Sequence, residues 1–311
     1  MHLQPLPNQV FNHQPKPAMK TILVPTDFSA NAANAINYAV KLADQVKGKL
    51  ILCHALQSQI LGLPEEGVTI SPEKLLKASY LEELNKLGRS IQLENGFRFE
   101  LETVCEDGPL YQLLADVAVT RNVDLIVMGT RGASTFLDKL IGTNTLNIIE
   151  NALCPVLAIP AKATFTGFQK LVYASDFEKE EHVYLQQLFQ LTEPFDAQVH
   201  VLNVKAEDQL DMVADGQIVA EIAKEFTRKP YQISQLKAGH VVEGINAFTR
   251  ENPVDVVAVA IEKRGFLETL FHKSVSTQLA FESNLPLLAL PETPFKKPKP
   301  LTQKKEAAFN I

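Results

Sequence analysis

Short apolar runs alternate with longer stretches of helical periodicity through most of the chain. An apolar run of about four to eight residues is typical of a buried parallel strand, whereas apolar residues three and four apart indicate an amphipathic helix. Strands are predicted in this way near residues 21–25, 49–55, 97–105, 123–128 and 155–159. Helices are predicted after Ser29, which can cap the first of them, near 72–94, near 109–121 and from near Thr143.

Strands that alternate with helices predict a parallel sheet with helices on both faces, which is a doubly wound α/β fold. Such a sheet forms a ligand crevice at the carboxyl ends of its strands. Asp27 follows the first predicted strand and Gly129 follows the strand near 123–128. We therefore expect both residues to line the same crevice.

The pattern occurs twice, because four segments recur in the same order. They are 21–28 with 170–177, 49–55 with 198–204, 120–127 with 249–258, and 154–160 with 285–291. Four matches in one order indicate an internal duplication. The repeat predicts two tandem domains, residues 19–162 and 163–291, between a disordered tail at 1–18 and a flexible tail rich in proline and lysine at 292–311.

Composition narrows the class of protein. Of the 311 residues, 46% are hydrophobic and 21% are charged, as in ordinary globular proteins, and the net charge of −6 predicts no attraction to nucleic acid or to an anionic membrane. Cys53, Cys105 and Cys154 are far apart and odd in number, so we expect buried, reduced thiols. No apolar run is long enough to span a bilayer, and a cytoplasmic protein is expected.

Glycines follow the strand that ends at Met128. The spacing is Gly129-x2-Gly132-x9-Gly142-Thr143. Glycine has no Cβ and tolerates positive φ, so it lets the backbone approach a phosphate group, and a helix starting near Thr143 would direct amide groups at the anion. The glycines could also be plain turn residues, but the three-part spacing favours phosphate binding.

Other nucleotide motifs are missing from the sequence. Gly48-Lys49 is followed by leucine, so no Gly-x4-Gly-Lys-Ser/Thr loop is formed, and there is no Gly-x-Gly-x-x-Gly loop. The first strand is followed by Pro25-Thr26-Asp27-Phe28 in place of the Ser-Gly-Gly loop of a pyrophosphatase-type synthase. No catalytic triad or metal-ligand cluster has a recognisable spacing. Binding with little or no turnover is the better interpretation.

These residues carry a resemblance to a known family. The segments concerned are Val24-Pro25-Thr26-Asp27-Phe28-Ser29, His54-Ala55, the glycine motif and Cys154-Pro155-Val156-Leu157. In them the chain resembles the tandem two-domain form of the universal stress protein (UspA-like) family, over about residues 20–161 and more weakly over 169–291. The resemblance implies two Rossmann-like, adenine nucleotide alpha hydrolase-like domains.

The resemblance also implies a nucleotide site in the first domain, for ATP or another adenine nucleotide with Mg²⁺. Asp27 would face the adenosine, Ala55 would line the adenine, and Gly132 would let its loop close over the phosphates. The implied binding residues are Pro25, Thr26, Asp27, Ala55, Met128, Gly129, Arg131, Gly132, Gly142, Thr143 and Asn144. Arg131 and Lys139 could neutralise phosphate charge, although solvated surface positions are as good an interpretation. His54 is interpreted as a structural histidine.

The second copy departs from this pattern. It keeps Asp176, which is interpreted first as a helix cap, but its segments 260–265 and 271–274 have no glycine at the positions of Gly129 and Gly142. We expect that it does not bind ATP in the same way.

The closing strands 155–159 and 286–290 are expected at sheet edges, which pair readily. They predict an intramolecular pseudo-dimer and allow a homodimer.

Three functions stay open at this point. The first is an ATP-binding stress-response regulator that holds its nucleotide in the first domain. The second is a slow ATPase or an enzyme that acts through an adenylate, and the third is a scaffold that binds no nucleotide.

Overall fold

The structure of the protein, a computed structural model, describes residues 19–56, 72–130, 142–177, 181–206, 214–261 and 285–292. The first copy contains β1 (Thr21–Pro25), α1 (Ala30–Val46), β2 (Lys49–Leu56), α2 (Pro72–Glu94), β3 (Glu100–Asp107), α3 (Leu110–Thr120), β4 (Leu125–Gly129), α4 (Thr143–Asn151) and β5 (Val156–Ile159). The second contains β6 (Lys170–Ser175), α5 (Glu181–Thr192), a 3-10 helix (Glu193–Phe195), β7 (Gln198–Ala206), α6 (Ala214–Glu225), β8 (Tyr231–Ala238), α7 (Val241–Glu251), β9 (Val256–Ile261) and β10 (Leu287–Pro291).

Every element predicted for the first copy is found, but β3 starts later than expected. The chain leaves α2 through a left-handed turn in which Gly96 and Phe97 have φ of 62° and 54°. The Phe97 amide donates to the Gln92 carbonyl at 3.0 Å, so these residues end the helix and are not available to the strand.

The ten strands of the described ranges form one sheet in the order β3-β2-β1-β4-β5-β10-β9-β6-β7-β8. The order of the second copy mirrors that of the first. Neighbouring strands are parallel, except that β5 and β10 pair antiparallel with Leu157 opposite Leu288. The predicted intramolecular pairing is therefore present, while a homodimer stays a prediction.

The closing strands are the edges of their own copies, as expected, and their pairing puts both inside the joint sheet. Each occupies the edge of the other: β5 lies between β4 and β10, and β10 lies between β5 and β9. Because β5 and β10 are antiparallel, the carboxyl ends of β1 and β4 and those of β6 and β9 lie at opposite edges of the sheet. The crevices of the two copies therefore open in opposite directions.

The sheet has an apolar layer on each face. Leu50 and Leu52 pack on the face covered by α1, α2, α5 and α6, whereas Ile51 and Cys53 pack on the face covered by α3, α4 and α7. Both layers continue across the junction, since Leu157 and Leu288 belong to the first layer and Val156 and Leu287 to the second. This arrangement confirms the prediction of helices on both faces.

The local sequence determines where helix α1 begins and where it ends. Ser29 is its N-cap, and the Ser29 hydroxyl accepts a hydrogen bond from the Ala32 amide at 3.2 Å, as predicted. The helix ends at Lys47 in the left-handed conformation, followed by Gly48. A Cβ on Gly48 would lie 2.5 Å from the Lys20 carbonyl oxygen, so only glycine fits between α1 and β2.

Cys53, Cys105 and Cys154 are all buried, and none forms a disulfide, as expected. Burial raises the pKa of the Cys53 and Cys105 thiols, which keeps them protonated at neutral pH. Across the ranges that the structure describes, the helices are all too short or too polar to cross a membrane.

A partly buried carboxylate holds the start of the first strand in each copy. Asp124 Oδ2 accepts hydrogen bonds from the Lys20 and Thr21 amides at 2.8 and 2.9 Å. Asp255 Oδ2 accepts from the Gln169 and Lys170 amides, both at 2.9 Å. The two aspartates occupy matching positions of the repeat, so the second copy retains this support.

We expect Asp124→Ala to lower the free energy of unfolding by about 1.5–3 kcal/mol, because two backbone amides lose a charged acceptor. Urea denaturation measures the change. Asp116→Ala removes an exposed carboxylate from α3 and serves as the control, with an expected change within about 0.5 kcal/mol. Equal stability of the two variants would contradict the role of Asp124.

Candidate functional site

The predicted binding residues that the structure describes meet at the carboxyl edge of the first copy. β1 pairs with β2 on one side and with β4 on the other, and Pro25 lies opposite Cys53. The Thr26 amide donates to the Cys53 carbonyl at 2.8 Å, which continues this pairing one residue beyond β1. The turn after β1, the end of β2 and the end of β4 are therefore neighbours.

The turn after β1 is held by its own side chains. The hydroxyl of the buried Thr26 accepts from the Phe28 amide at 3.0 Å, and Asp27 Oδ1 accepts from the Ser29 amide at 3.0 Å. Phe28 has φ of 60°, a rare conformation for a bulky residue that costs about 1–2 kcal/mol. Strained backbone of this kind is concentrated at functional sites. The turn leaves Asp27 exposed at the edge of the sheet.

His54 is tied into the same turn. His54 Nδ1 lies 2.7 Å from the Thr26 carbonyl oxygen, and because a carbonyl only accepts, Nδ1 carries the proton. The ring stacks on Tyr80 with centroids 4.5 Å apart and contacts Phe28 at 5.1 Å. His54 is a structural histidine, as the sequence indicated, whereas the half-buried side chain of its neighbour Ala55 packs on the other face of the sheet.

The end of β4 forms the opposite wall. Met128 is buried, and the Gly129 carbonyl accepts from the hydroxyl of Thr145, a buried residue in the first turn of α4, at 3.0 Å. The Gly142 amide donates to the Thr130 carbonyl at 2.7 Å. Thr130 and Gly142 are thereby joined, so the last residue of β4 and the start of α4 lie side by side.

Helix α4 begins without a side-chain cap. Its N-cap is Gly142, which is buried and has φ of −71° and ψ of 157°. Any residue adopts that conformation, so of the two reasons for glycine only the missing Cβ applies here. The amide groups of a first helical turn have no intrahelical partners and carry a partial positive charge. The start of α4, with Thr143 and Asn144, thus fits an anionic group such as a phosphate.

The structure brings most of the predicted site residues together. They are Pro25, Thr26, Asp27, Ala55, Met128, Gly129, Gly142, Thr143 and Asn144. Arg131, Gly132 and Lys139 lie outside the described residues, and their roles stay predictions. Sequence reasoning missed Thr145 and Tyr80. The only sequence signal for Thr145 was weak, namely a threonine at the third position of the helix after the glycine motif. No sequence signal indicated Tyr80.

Thr145→Val is expected to destabilise the protein by about 1–3 kcal/mol. Valine keeps the shape of threonine but leaves the Gly129 carbonyl without its hydrogen bond. Urea denaturation measures the loss. The control is Thr120→Val, which removes the hydroxyl that donates to the Asp116 carbonyl at an exposed position. Similar losses for both variants would mean that the contact with Gly129 is not specifically stabilising.

The comparison with family models gives a match to the universal stress protein family at residues 19–160 and 167–291. The chain belongs to the universal stress protein family. Universal stress protein MJ0531 from Methanocaldococcus jannaschii is 30% identical over 141 residues, which cover 45% of this chain and 81% of the relative. Universal stress protein Slr1230 from Synechocystis is 23% identical over 293 residues, 87% of this chain and 99% of the relative.

A solved structure shows the same fold. The crystal structure of a universal stress protein from Archaeoglobus fulgidus superposes with a TM-score of 0.65 at 18% identity, and it covers 88% of this chain and 99% of that one. Together with the two matches to the family model, this similarity confirms the tandem Rossmann-like α/β fold.

The second universal stress protein copy keeps the geometry of the turn. The Ser175 hydroxyl accepts from the Phe177 amide at 3.0 Å, and Phe177 has φ of 59°. Asn203 takes the place of His54, and its side-chain amide donates to the Ser175 carbonyl at 2.9 Å. Asp176 is exposed next to this turn, as Asp27 is in the first copy.

The second copy differs in what lies beneath the turn. Glu181 is only 5% exposed, and its Oε1 accepts from the Ser175 hydroxyl at 2.5 Å. Burial raises the Glu181 pKa to about 7, with a smaller contribution from the negative charge of Asp176, although the Ser175 hydrogen bond opposes the shift. The repeat places Ala32 at the equivalent position of α1. A glutamate in the first turn of a helix looks ordinary in sequence, so this buried carboxyl was not predicted.

Proposed function

We propose that the first copy binds an adenine nucleotide, with ATP as its ligand, and that the protein is a stress-response regulator that holds this nucleotide with little or no turnover. The observation that carries the proposal is the meeting of three features at one edge. They are the exposed carboxylate of Asp27, the small side chain of Ala55 and the uncapped start of α4 at Gly142.

Each feature suits one part of a nucleotide. The α4 amides suit a phosphate group, and a carboxylate such as Asp27 can accept hydrogen bonds from ribose hydroxyls. Ala55 leaves room for a flat base on the face of the sheet that α3 and α4 cover. Mg²⁺ would enter on the phosphates and keep most of its water ligands, as this ion commonly does.

The ionisable groups that the structure describes at this edge favour binding of the nucleotide over its hydrolysis. The His54 Nδ1 proton is engaged with the Thr26 carbonyl, and the ring is enclosed by Phe28 and Tyr80. Asp27 holds the Ser29 amide. A general base must reach an attacking water, and these groups already support the fold of the turn.

The test begins with the purified full chain. It is denatured, and the released small molecules are identified by mass spectrometry. We expect an adenine nucleotide at about one per chain. Adding Mg-ATP to nucleotide-free protein should stabilise it by about 2.7 kcal/mol at a hundred times the dissociation constant.

Three results would overturn the proposal. No released nucleotide together with no stabilisation by Mg-ATP would favour the scaffold. Steady release of inorganic phosphate or pyrophosphate over many turnovers would favour an enzyme. Two equal sites per chain in a titration with a fluorescent nucleotide would contradict a site confined to the first copy.

We also propose a cytoplasmic location. Three buried cysteines without a disulfide are usual in a reducing compartment. Fractionation of cells that express the full chain with a small tag tests the location, and recovery outside the cytoplasm would contradict it.

A further inference from the structure

The second copy has a cavity far from its Asp176 turn. Its volume is about 380 Å³, within the range of about 300–1,000 Å³ of small-molecule sites. It lies at the amino ends of β6, β7 and β8 and beside the end of α7. The residues that matter below are Gln198, His200, Tyr231, Gln232, Phe248 and Asn252.

Ion pairs occupy the equivalent place in the first copy. Lys49 Nζ lies 2.5 Å from Glu102 Oε2, and Arg121 Nε lies 3.0 Å from Glu102 Oε1. Glu102 thus joins the starts of β2 and β3 to the end of α3. The triad closes the amino edge of the sheet on this face.

The strand register identifies what replaced the triad. Ile51 lies opposite Glu102 in the first copy, and His200 lies opposite Gln232 in the second. Gln198 begins β7 as Lys49 begins β2. The lysine and the glutamate of the triad have therefore become two neutral amides, and an apolar core residue has become an imidazole.

His200 is held in a defined position in the cavity wall. Its Nε2 lies 2.9 Å from the Ser234 hydroxyl, and its ring contacts Phe248 with centroids 4.6 Å apart. Burial lowers the His200 pKa, so the imidazole is neutral at pH 7. A neutral imidazole presents one donor and one acceptor.

The lining selects a class of ligand. Gln198, Gln232 and Asn252 supply amide donors and acceptors, while Tyr231 and Phe248 supply flat apolar surface. The charged residues of the lining are Lys170 and Glu251, whose opposite signs cancel. A ligand that matches these groups is uncharged and planar, and carries both donors and acceptors.

We propose that the second copy has its own binding site at the amino edge of its sheet, for an uncharged heterocycle of the nucleobase or nucleoside class. The site is separate from the nucleotide site of the first copy, because it lies at a strand start in the other copy. This proposal does not depend on the function proposed above.

The experiment uses the full chain with saturating Mg-ATP, so that any site in the first copy is filled. Adenosine, guanosine, cytidine and uridine are titrated singly while the imidazole carbon–proton signals are followed by NMR. His200→Ile, which installs the residue of the first copy, identifies the His200 signal by its loss. We expect at least one nucleoside to shift that signal with saturation.

The decisive variant restores the ion-pair chemistry of the first copy. Gln198→Lys with Gln232→Glu places the lysine and the glutamate of that triad in the cavity lining and should weaken the binding at least tenfold. Gln190→Lys with Gln217→Glu makes the same charge changes at exposed positions of α5 and α6 and should leave it unchanged.

The proposal is overturned if no nucleoside shifts the His200 signal, or if the closing variant binds nucleosides as the native chain does. If the closing variant does not fold, as judged by circular dichroism, the assay moves to His200→Ile, where loss of nucleoside binding by equilibrium dialysis is expected. Binding of AMP at this signal as tight as that of adenosine would contradict an uncharged ligand.

Discussion

Replacing Gly142 with valine is expected to weaken adenine-nucleotide binding at least about a hundredfold while the chain stays folded. The observed φ of −71° and ψ of 157° suit valine, so the backbone is not strained. The new side chain adds bulk at the N-cap of α4, next to the amides at which the phosphate groups are proposed to bind. A hundredfold loss corresponds to about 2.7 kcal/mol, roughly one or two charge-assisted hydrogen bonds.

Calorimetric titration with Mg-ATP measures the loss. Gly216→Val is the matched control, because a side chain at Gly216 would enter open space on α6. Valine is a poorer N-cap than glycine, so Gly142→Val is also expected to lose about 1 kcal/mol of stability. If that variant unfolds, Gly142→Ala provides a smaller side chain, and a smaller loss of nucleotide affinity is expected. Unchanged affinity for Mg-ATP in a folded Gly142→Val protein would contradict the proposal that the phosphate groups bind at the start of α4.

The second large effect concerns the buried carboxyl of Glu181. Because burial raises the Glu181 pKa to about 7, the folded state holds a proton that the unfolded chain releases near pH 4.3. The stability from the neutral carboxyl is fully present below that lower pKa and is lost as the pH rises through about 7. The loss amounts to about 3 kcal/mol between pH 4 and pH 8.

Glu181→Gln is expected to remove this loss. Glutamine is uncharged, and its side-chain carbonyl can still accept from the Ser175 hydroxyl, so the variant should be more stable than the native chain at pH 8 and about equal at pH 4. Urea denaturation across this pH range measures the difference. Glu221→Gln, at an exposed position of α6, should follow the native curve. A native slope retained in Glu181→Gln would show that another group titrates.

Local signals predicted most of the fold. The apolar runs that became β1, β2, β4 and β5 were readable because each is buried on both faces of the sheet. Ser29 was identified as a cap because its partner, the Ala32 amide, is three residues away. The pairing of the closing strands followed from the repeat, which supplied two related copies of an edge.

Contacts between distant elements could not be read in this way. Tyr80 meets His54 only because α2 crosses the end of β2, and no short pattern specifies that crossing. Glu181 has the sequence context of a solvated helix start, yet packing around Ser175 buries it. The glycine motif identified one wall of the site, whereas Thr145, which holds that wall to α4, was missed.

The antiparallel junction of β5 and β10 changes what duplication achieves. A copy on its own would leave the edge of β5 unpaired. Pairing of that edge would then depend on the concentration of a second molecule in solution. Within one chain the partner strand is supplied at a high effective concentration, whatever the expression level. The second copy meets this requirement through the backbone and the apolar side chains of β10. Its other side chains are therefore released to diverge, and the assembly survives the loss of the glycines that the first copy keeps.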